Sequence, residues 1–164
     1  EDLGVITPDV VELRDKFGLP GMRVMHFAFA EGEANLFLPH HYIQNTVAYA
    51  GTHDNDTTIG WWNTLSENEK VYAKQYLKTD GVAIQWDMIK ALSASAANTV
   101  IFTMQDVLGL GNEHRMNFPG HPDGNWEWRF SWSQLSQERT QELSCISTEH
   151  DRQQATHKEE SDPG

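Results

Sequence analysis

The chain has 164 residues, a length that suits one domain, and carries 24 acidic against 12 basic side chains for a net charge of −12 with histidine neutral. That surplus is spread along the chain, repels nucleic acid and anionic membranes, and argues against phosphate-backbone binding. Cys145 is the only cysteine, which excludes an internal disulfide, and no stretch approaches the roughly 20 apolar residues of a membrane-spanning helix.

In chain order, Thr7-Pro8-Asp9 reads as a helix start, with a capping hydroxyl, proline in the first turn and an early acid. Val10, Leu13 and Phe17 then share one helical face, and Gly18 with Pro20 ends the helix. The apolar run "MRVMHFAF", Met22 to Phe29, reads as a buried strand. A second strand starts near Thr46 and leads straight into "GTHDNDTTIGWW", Gly51 to Trp62. Ser66 with Glu69 makes a capping box for a helix to about Lys78. The next helix, from about Val82 to Ala97, turns Trp86, Ile89 and Met88 or Leu92 inward. "TVIFTMQD", Thr99 to Asp106, is a third strand, followed by a long segment rich in Gly, Pro and Asn. A final amphipathic helix covers Ser133 to Ile146, and the polar tail from Ser147 is expected to be disordered.

Alternating helices and strands predict a parallel sheet with helical crossovers. Three or so strands do not close an eight-stranded barrel. Glu1-Asp2 running at once into Leu3-Gly4 and a helix start reads as the end of a strand, so the expectation is a piece of a larger protein.

The polar loops after the later strands hold the chemistry. Adjacent His40 and His41 point apart in an extended segment and make poor joint metal ligands. Asp54-Asn55-Asp56 begins like a calcium loop but has Ile59 where glycine belongs and Leu65 where the bidentate glutamate belongs. Gly109-Leu110-Gly111 lacks the third glycine of a dinucleotide fingerprint, because His114 occupies that position. Carbohydrate chemistry accounts for more. Glycoside cleavage needs carboxyl groups on both sides of a sugar ring, and Glu1, Asp2, Asp54 and Asp56 supply them at strand ends. Trp61, Trp62, Trp126, Trp128 and Tyr42 offer flat surface, and each of them also suits core packing. His40, His53, Asn117 and Asn125 offer hydrogen bonds. Asp56 is also suited to capping the turn or helix that follows it.

"EDLGVITPDVVELRDKFGLPGMRV", "FLPHHY", "GTHDNDTTIGWW", "QDVLGLGNEHRMNFPG" and "GNWEWRF", in this order, resemble the C-terminal half of the 4-α-glucanotransferases (amylomaltases or disproportionating enzymes) of glycoside hydrolase family 77. The resemblance runs from Glu1 to about Phe130 and implies an α/β fold, the C-terminal portion of a (β/α)8 TIM barrel with irregular loops, incomplete as it stands. Residues 1–146 would belong to that catalytic domain and 147–164 to the tail. It implies a retaining transfer of α-1,4-glucan segments to the 4-hydroxyl of another glucan or glucose. By position, Glu1 matches the general acid/base and Asp54 the carboxylate that stabilises the transition state. His53 matches a hydrogen-bond donor to the sugar, and Asn117 and Pro119 the loop on the donor side. An acid that holds its proton at neutral pH needs a raised pKa, which burial beside a second carboxylate provides.

The expected ligands are α-1,4-glucans and maltooligosaccharides, with no metal, cofactor or obligate protein partner. The expected compartment is the cytoplasm, with plastid stroma as the alternative. The family's nucleophilic aspartate has no counterpart in these residues, so the chain alone is expected to be inactive. His41, Ala50 and Glu113-His114 depart from the family's usual residues. The rival reading is a non-catalytic α-glucan-binding or regulatory relative that kept the groove.

Overall fold

The computed structural model describes residues 2–4, 6–30 and 35–153. Three short parallel strands, β1 (Gly21–Val24), β2 (Thr46–Tyr49) and β3 (Thr99–Ile101), lie side by side in chain order. Val47 pairs with both Met22 and Thr99. Helix α1 (Pro8–Lys16) precedes the sheet; α2 (Thr58–Thr64), α3 (Glu67–Leu77) and α4 (Ile84–Ser93) connect β2 to β3; α5 (Met104–Val107) and α6 (Gln137–Glu149) follow. The expected parallel α/β order is therefore present. The β1-to-β2 connection differs from a helical crossover: its described residues form only 3₁₀ turns at Met25–Phe27 and Pro39–His41.

Two expected strands stop early. Met22–Phe29 is extended only to Val24, although Met25, His26, Ala28 and Phe29 are buried. An uninterrupted apolar run reports burial and does not distinguish a strand from a buried turn. Thr99–Asp106 ends as a strand at Ile101, because the Thr103 hydroxyl accepts the Asp106 N–H and starts α5. The Ser66–Glu69 capping box is formed in full, and Lys78 closes α3 in the left-handed region at φ 55°. At α1 the Thr7 side chain makes no cap bond. Its apolar stripe, Val10, Leu13 and Phe17, is exposed. Asp2 ties this region to the sheet instead: its carboxylate accepts Met22 N–H at 2.6 Å and Arg14 Nη1 at 2.8 Å. The expectation of Asp2 as a sugar-facing carboxylate is corrected by those bonds.

Helix α4 is apolar on two sides. Ile84, Met88 and Leu92, spaced by four residues, pack into the main core with Met25, Leu38 and Ala48. Trp86 and Ile89 form a second cluster with Val107 and Ile146, which seats α5 and α6. Helix α6 starts at Gln137 after its Ser136 cap, four residues later than expected, and continues past Ile146 to Glu149. The described part of the expected tail is anchored. Arg152 donates to the carbonyls of Ser93, Ser95 and Ala97 at 2.6–2.9 Å, occupying acceptors left open at the C-terminus of α4. No helix among the described residues is long and apolar enough to cross a membrane.

A polar chain runs through the core beneath the loop that follows β2. Thr58 N–H donates to Asp106 Oδ1 at 2.7 Å, the Thr58 hydroxyl also bonds that carboxylate, and His26 Nε2 lies 3.1 Å from the hydroxyl oxygen. With the hydroxyl proton given to Asp106, the oxygen accepts from Nε2–H. Burial lowers the His26 pKa from 6.5 to about 3 and raises that of Asp106. The signs oppose. His26 binds a proton in the unfolded chain below pH 6.5 but stays neutral when folded, so its contribution is full above 6.5 and is lost as pH falls towards 3. Asp106 acts in the other direction, favouring the folded state on the acid side of its raised pKa. Comparison with His26→Gln isolates the first effect. Wild type is expected to lose about 2 kcal/mol more than the variant between neutrality and about pH 4.5, read by denaturant titration. Parallel curves would remove His26 from the account.

Candidate active site

Asp54 sits beyond the C-terminal end of β2, where parallel α/β sheets place their ligands. Gly51 leaves the strand, and Thr52, His53, Asp54 and Asn55 turn sharply. Asn55 Oδ1 accepts both the N–H and the hydroxyl of Thr52 at 2.9 Å, and Asp54 N–H points to that hydroxyl oxygen at 3.3 Å. Such side-chain bonds hold a tight turn locally. The side chains of His53 and Asp54 are left about half exposed.

The long segment after β3 closes over this turn. Asn117 Nδ2 donates to Asp54 Oδ1 at 2.6 Å, and His53 Nε2 lies 3.3 Å from the same oxygen. Arg115 donates to the Asp54 carbonyl at 2.6 Å and to the Asn117 carbonyl at 2.8 Å, so one guanidinium locks two loops together. Asn112 donates to Asp56 Oδ2 at 2.6 Å, while Asp56 Oδ1 accepts Thr57 N–H at 2.7 Å. Asp56 is thus a fastening between loops, and Thr57 caps α2. Pro119 is exposed at the corner of a turn in which His121 N–H donates to the Phe118 carbonyl and Gly120 takes φ +83°.

Three of the expected site residues, His53, Asp54 and Asn117, therefore meet. Glu1 lies outside the described residues, and Pro119 flanks Asn117 on the same loop. Other expected contributors have different roles. Pro39–His41 lies ahead of β2, and His40 Nδ1 pairs with the Tyr76 hydroxyl at 2.9 Å. The rings of His40 and His41 are 3.9 Å apart rather than splayed, because the segment is a 3₁₀ turn. Tyr42 is buried and donates to the Phe37 carbonyl. Trp61 stacks on His26 at 4.7 Å and donates to its carbonyl, and Trp62 packs against the same core. Trp128 donates to His114. Asn125 closes its own loop through Phe118 N–H and the His121 carbonyl. Cys145 is free and exposed on α6. Among the described residues no group of three or more His, Cys, Asp or Glu side chains is arranged to hold a metal ion.

His53 and Asp54 edge an open concavity of about 600 Å³ along the sheet, lined also by Met22, Tyr49 and Ile101. A second, smaller one of about 290 Å³ is lined by His53, Arg115, Met116 and Trp126. A half-exposed carboxylate held through one oxygen, with an imidazole and an amide beside it, suits hydrogen bonding to vicinal hydroxyls and stabilisation of nearby positive charge.

The profile of glycoside hydrolase family 77, described as 4-alpha-glucanotransferase, matches residues 1–136. The chain belongs to the 4-alpha-glucanotransferase family. It is 47% identical over 154 residues to the 4-alpha-glucanotransferase of Thermus thermophilus, covering 89% of this chain and 31% of that protein. It is 55% identical over 130 residues to the chloroplastic/amyloplastic 4-alpha-glucanotransferase of Arabidopsis thaliana, covering 79% and 23%. The structure matches an amylomaltase from Streptococcus agalactiae in complex with acarbose, with a TM-score of 0.91 and 36% identity over 94% of this chain and 32% of that one. The chain thus spans about a third or less of the relatives it matches.

Within this site, Arg115 is the residue that sequence reasoning missed. It stands two positions before Asn117, but its partner Asp54 is 61 residues away, and nothing local marks it. Converting Asn117 to Asp replaces the amide donor with a second carboxylate against Asp54 Oδ1. The like-charge repulsion is expected to part the two loops and to cost about 1 kcal/mol of stability beyond that of Asn117→Ala, read by denaturant titration. An equal loss in both variants would show that the added charge is not felt at Asp54.

Proposed function

We propose that the whole protein is a retaining 4-α-glucanotransferase that moves α-1,4-glucan segments to the 4-hydroxyl of another glucan or of glucose. The observation that carries this reading is Asp54 at the strand end, held at Oδ1 by Asn117 and His53 in a chain of this family. Glu1 is assigned as acid/base, Asp54 as transition-state stabiliser, and His53, Asn117 and Pro119 as sugar contacts. The three strands and residues 1–146 are assigned to a (β/α)8 catalytic barrel.

In the proposed reaction a carboxylate attacks the anomeric carbon as the C1–O4 bond breaks, and Glu1 gives its proton to the departing 4-oxygen. The acceptor's 4-hydroxyl then loses its proton to Glu1 and attacks the same carbon, which releases the enzyme carboxylate with configuration retained. The Asp54 carboxylate beside the ring opposes the developing positive charge. No residue of this chain matches the family's nucleophilic aspartate, so the rest of the protein supplies it, and these residues alone are expected to transfer nothing. α-1,4-Glucans and maltooligosaccharides are the proposed ligands, a reading supported by the acarbose held by the Streptococcus agalactiae relative. No cofactor enters the scheme. The proposed compartment is the cytoplasm or plastid stroma, in keeping with the chloroplastic/amyloplastic names of plant relatives.

The test incubates the full-length protein with maltotriose. Glucose plus a ladder of longer maltooligosaccharides is expected, and loss of both in Glu1→Gln. Binding of maltooligosaccharide without any ladder would support the glucan-binding alternative.

A further inference from the structure

We propose that Trp126 is a stacking platform for a glucose unit of the substrate beside His53 and Asp54. The inference rests on the glucanotransferase reading and adds a binding residue to it. Of the five aromatic residues that the sequence offered as sugar-facing surface, four have packing or hydrogen-bonding duties inside the protein. Trp126 is the fifth. It is 54% exposed, its ring lies 4.9 Å from that of His53, and it lines the concavity that His53 and Arg115 share.

Its backbone carries the second observation. Trp126 has φ +64°, in the left-handed region that a bulky side chain rarely occupies. The surrounding loop enforces that conformation. Trp126 N–H donates to the Met116 carbonyl at 2.8 Å, the preceding residue, Asn125, is bonded to Phe118 N–H and the His121 carbonyl, and Arg129 donates to the Trp126 carbonyl at 3.0 Å. A residue with glycine-like geometry where glycine would fit at no steric cost is retained for its side chain. Here that side chain is not buried, so core packing does not account for it.

The chemistry fits a pyranose. Axial C–H groups make one face of a glucose ring apolar, while its hydroxyls project around the rim. A flat, rigid indole takes the apolar face at small entropic cost, and the neighbouring His53, Asp54 and Asn117 take hydroxyls. The backbone bonds that fix Trp126 before substrate arrives remove an ordering step from binding.

The experiment compares wild type, Trp126→Gly and Trp126→Phe in the full-length protein, with maltotriose as donor and acceptor. The expected result for Trp126→Gly is a KM raised about tenfold with kcat changed much less. Its unfolding midpoint stays at or above wild type, since glycine accepts the left-handed backbone freely. Trp126→Phe keeps a flat ring and is expected to recover most of the affinity. A wild-type KM in Trp126→Gly, or an equal rise in both variants, would overturn the platform. So would a lowered midpoint with unchanged KM, which would mark the indole as packing. Absence of a ladder from wild type counts against the glucanotransferase reading itself. Calorimetric maltotriose binding to wild type and Trp126→Gly then decides the platform separately: weaker binding by the variant supports it and equal binding overturns it.

Discussion

Asp54→Asn in the full-length protein is expected to lower kcat about 1,000-fold while KM stays within a few-fold. The substitution keeps size and shape. Oδ1 continues to accept from Asn117 Nδ2, the bond that holds the side chain at 2.6 Å in the wild type. What is lost is the negative charge, and a neutral ground-state sugar has little use for it. In the proposed reaction the charge matters when C1 approaches an oxocarbenium ion, so the loss is expected in the rate. Because the Asp54 side chain is about half exposed in this chain, the full effect depends on a bound glucan and the rest of the protein excluding water. Steady-state kinetics on maltotriose supply the check. An Asp54→Asn enzyme with near-normal kcat and a strongly raised KM would assign Asp54 to ground-state binding.

Gly51→Ala is expected to destabilise the folded protein by about 3 kcal/mol and to disorder the turn that carries Asp54. Gly51 does not have a positive φ, so its backbone is open to alanine in principle. The obstacle is contact: a Cβ there would lie 2.5 Å from His26 Cε1 and 2.7 Å from Nδ1. The imidazole has nowhere to retreat, since it is stacked on Trp61 with only 5° between planes and bonded through Nε2 to Thr58. Denaturant unfolding measures the loss, and a double-mutant cycle identifies its cause. If the clash is the mechanism, His26→Ala and Gly51→Ala together cost less than the sum of the two alone. Additive costs would place the effect elsewhere.

Both predictions concern the same short turn, and the two were legible in the sequence to different degrees. Asp54 and His53 stand out as polar residues between a glycine and two tryptophans, and they coincide with a family motif. The dependence of Gly51 on His26 has no local sign, because the two residues lie just past the ends of neighbouring strands and meet only when β1 and β2 pair. Trp61 and Trp62 illustrate the same limit. Their composition suits a sugar groove, yet α2 turns them towards His26 and the core.

By itself, the sequence determined the features that neighbours within a few positions can encode. These are the Ser66–Glu69 box, the inward Trp86 and Ile89 of α4, the run of helices between β2 and β3, and the family's motifs in order. Tertiary structure decided where the apolar run after Val24 leaves the strand and which of five aromatic residues faces solvent. It also decided that Arg115 and Asn117 close on Asp54 across more than 60 residues. The physical reason is range. Capping and periodicity arise from contacts one turn or one pleat away, whereas the site is assembled from loops that meet only once parallel strands have brought their C-terminal ends together.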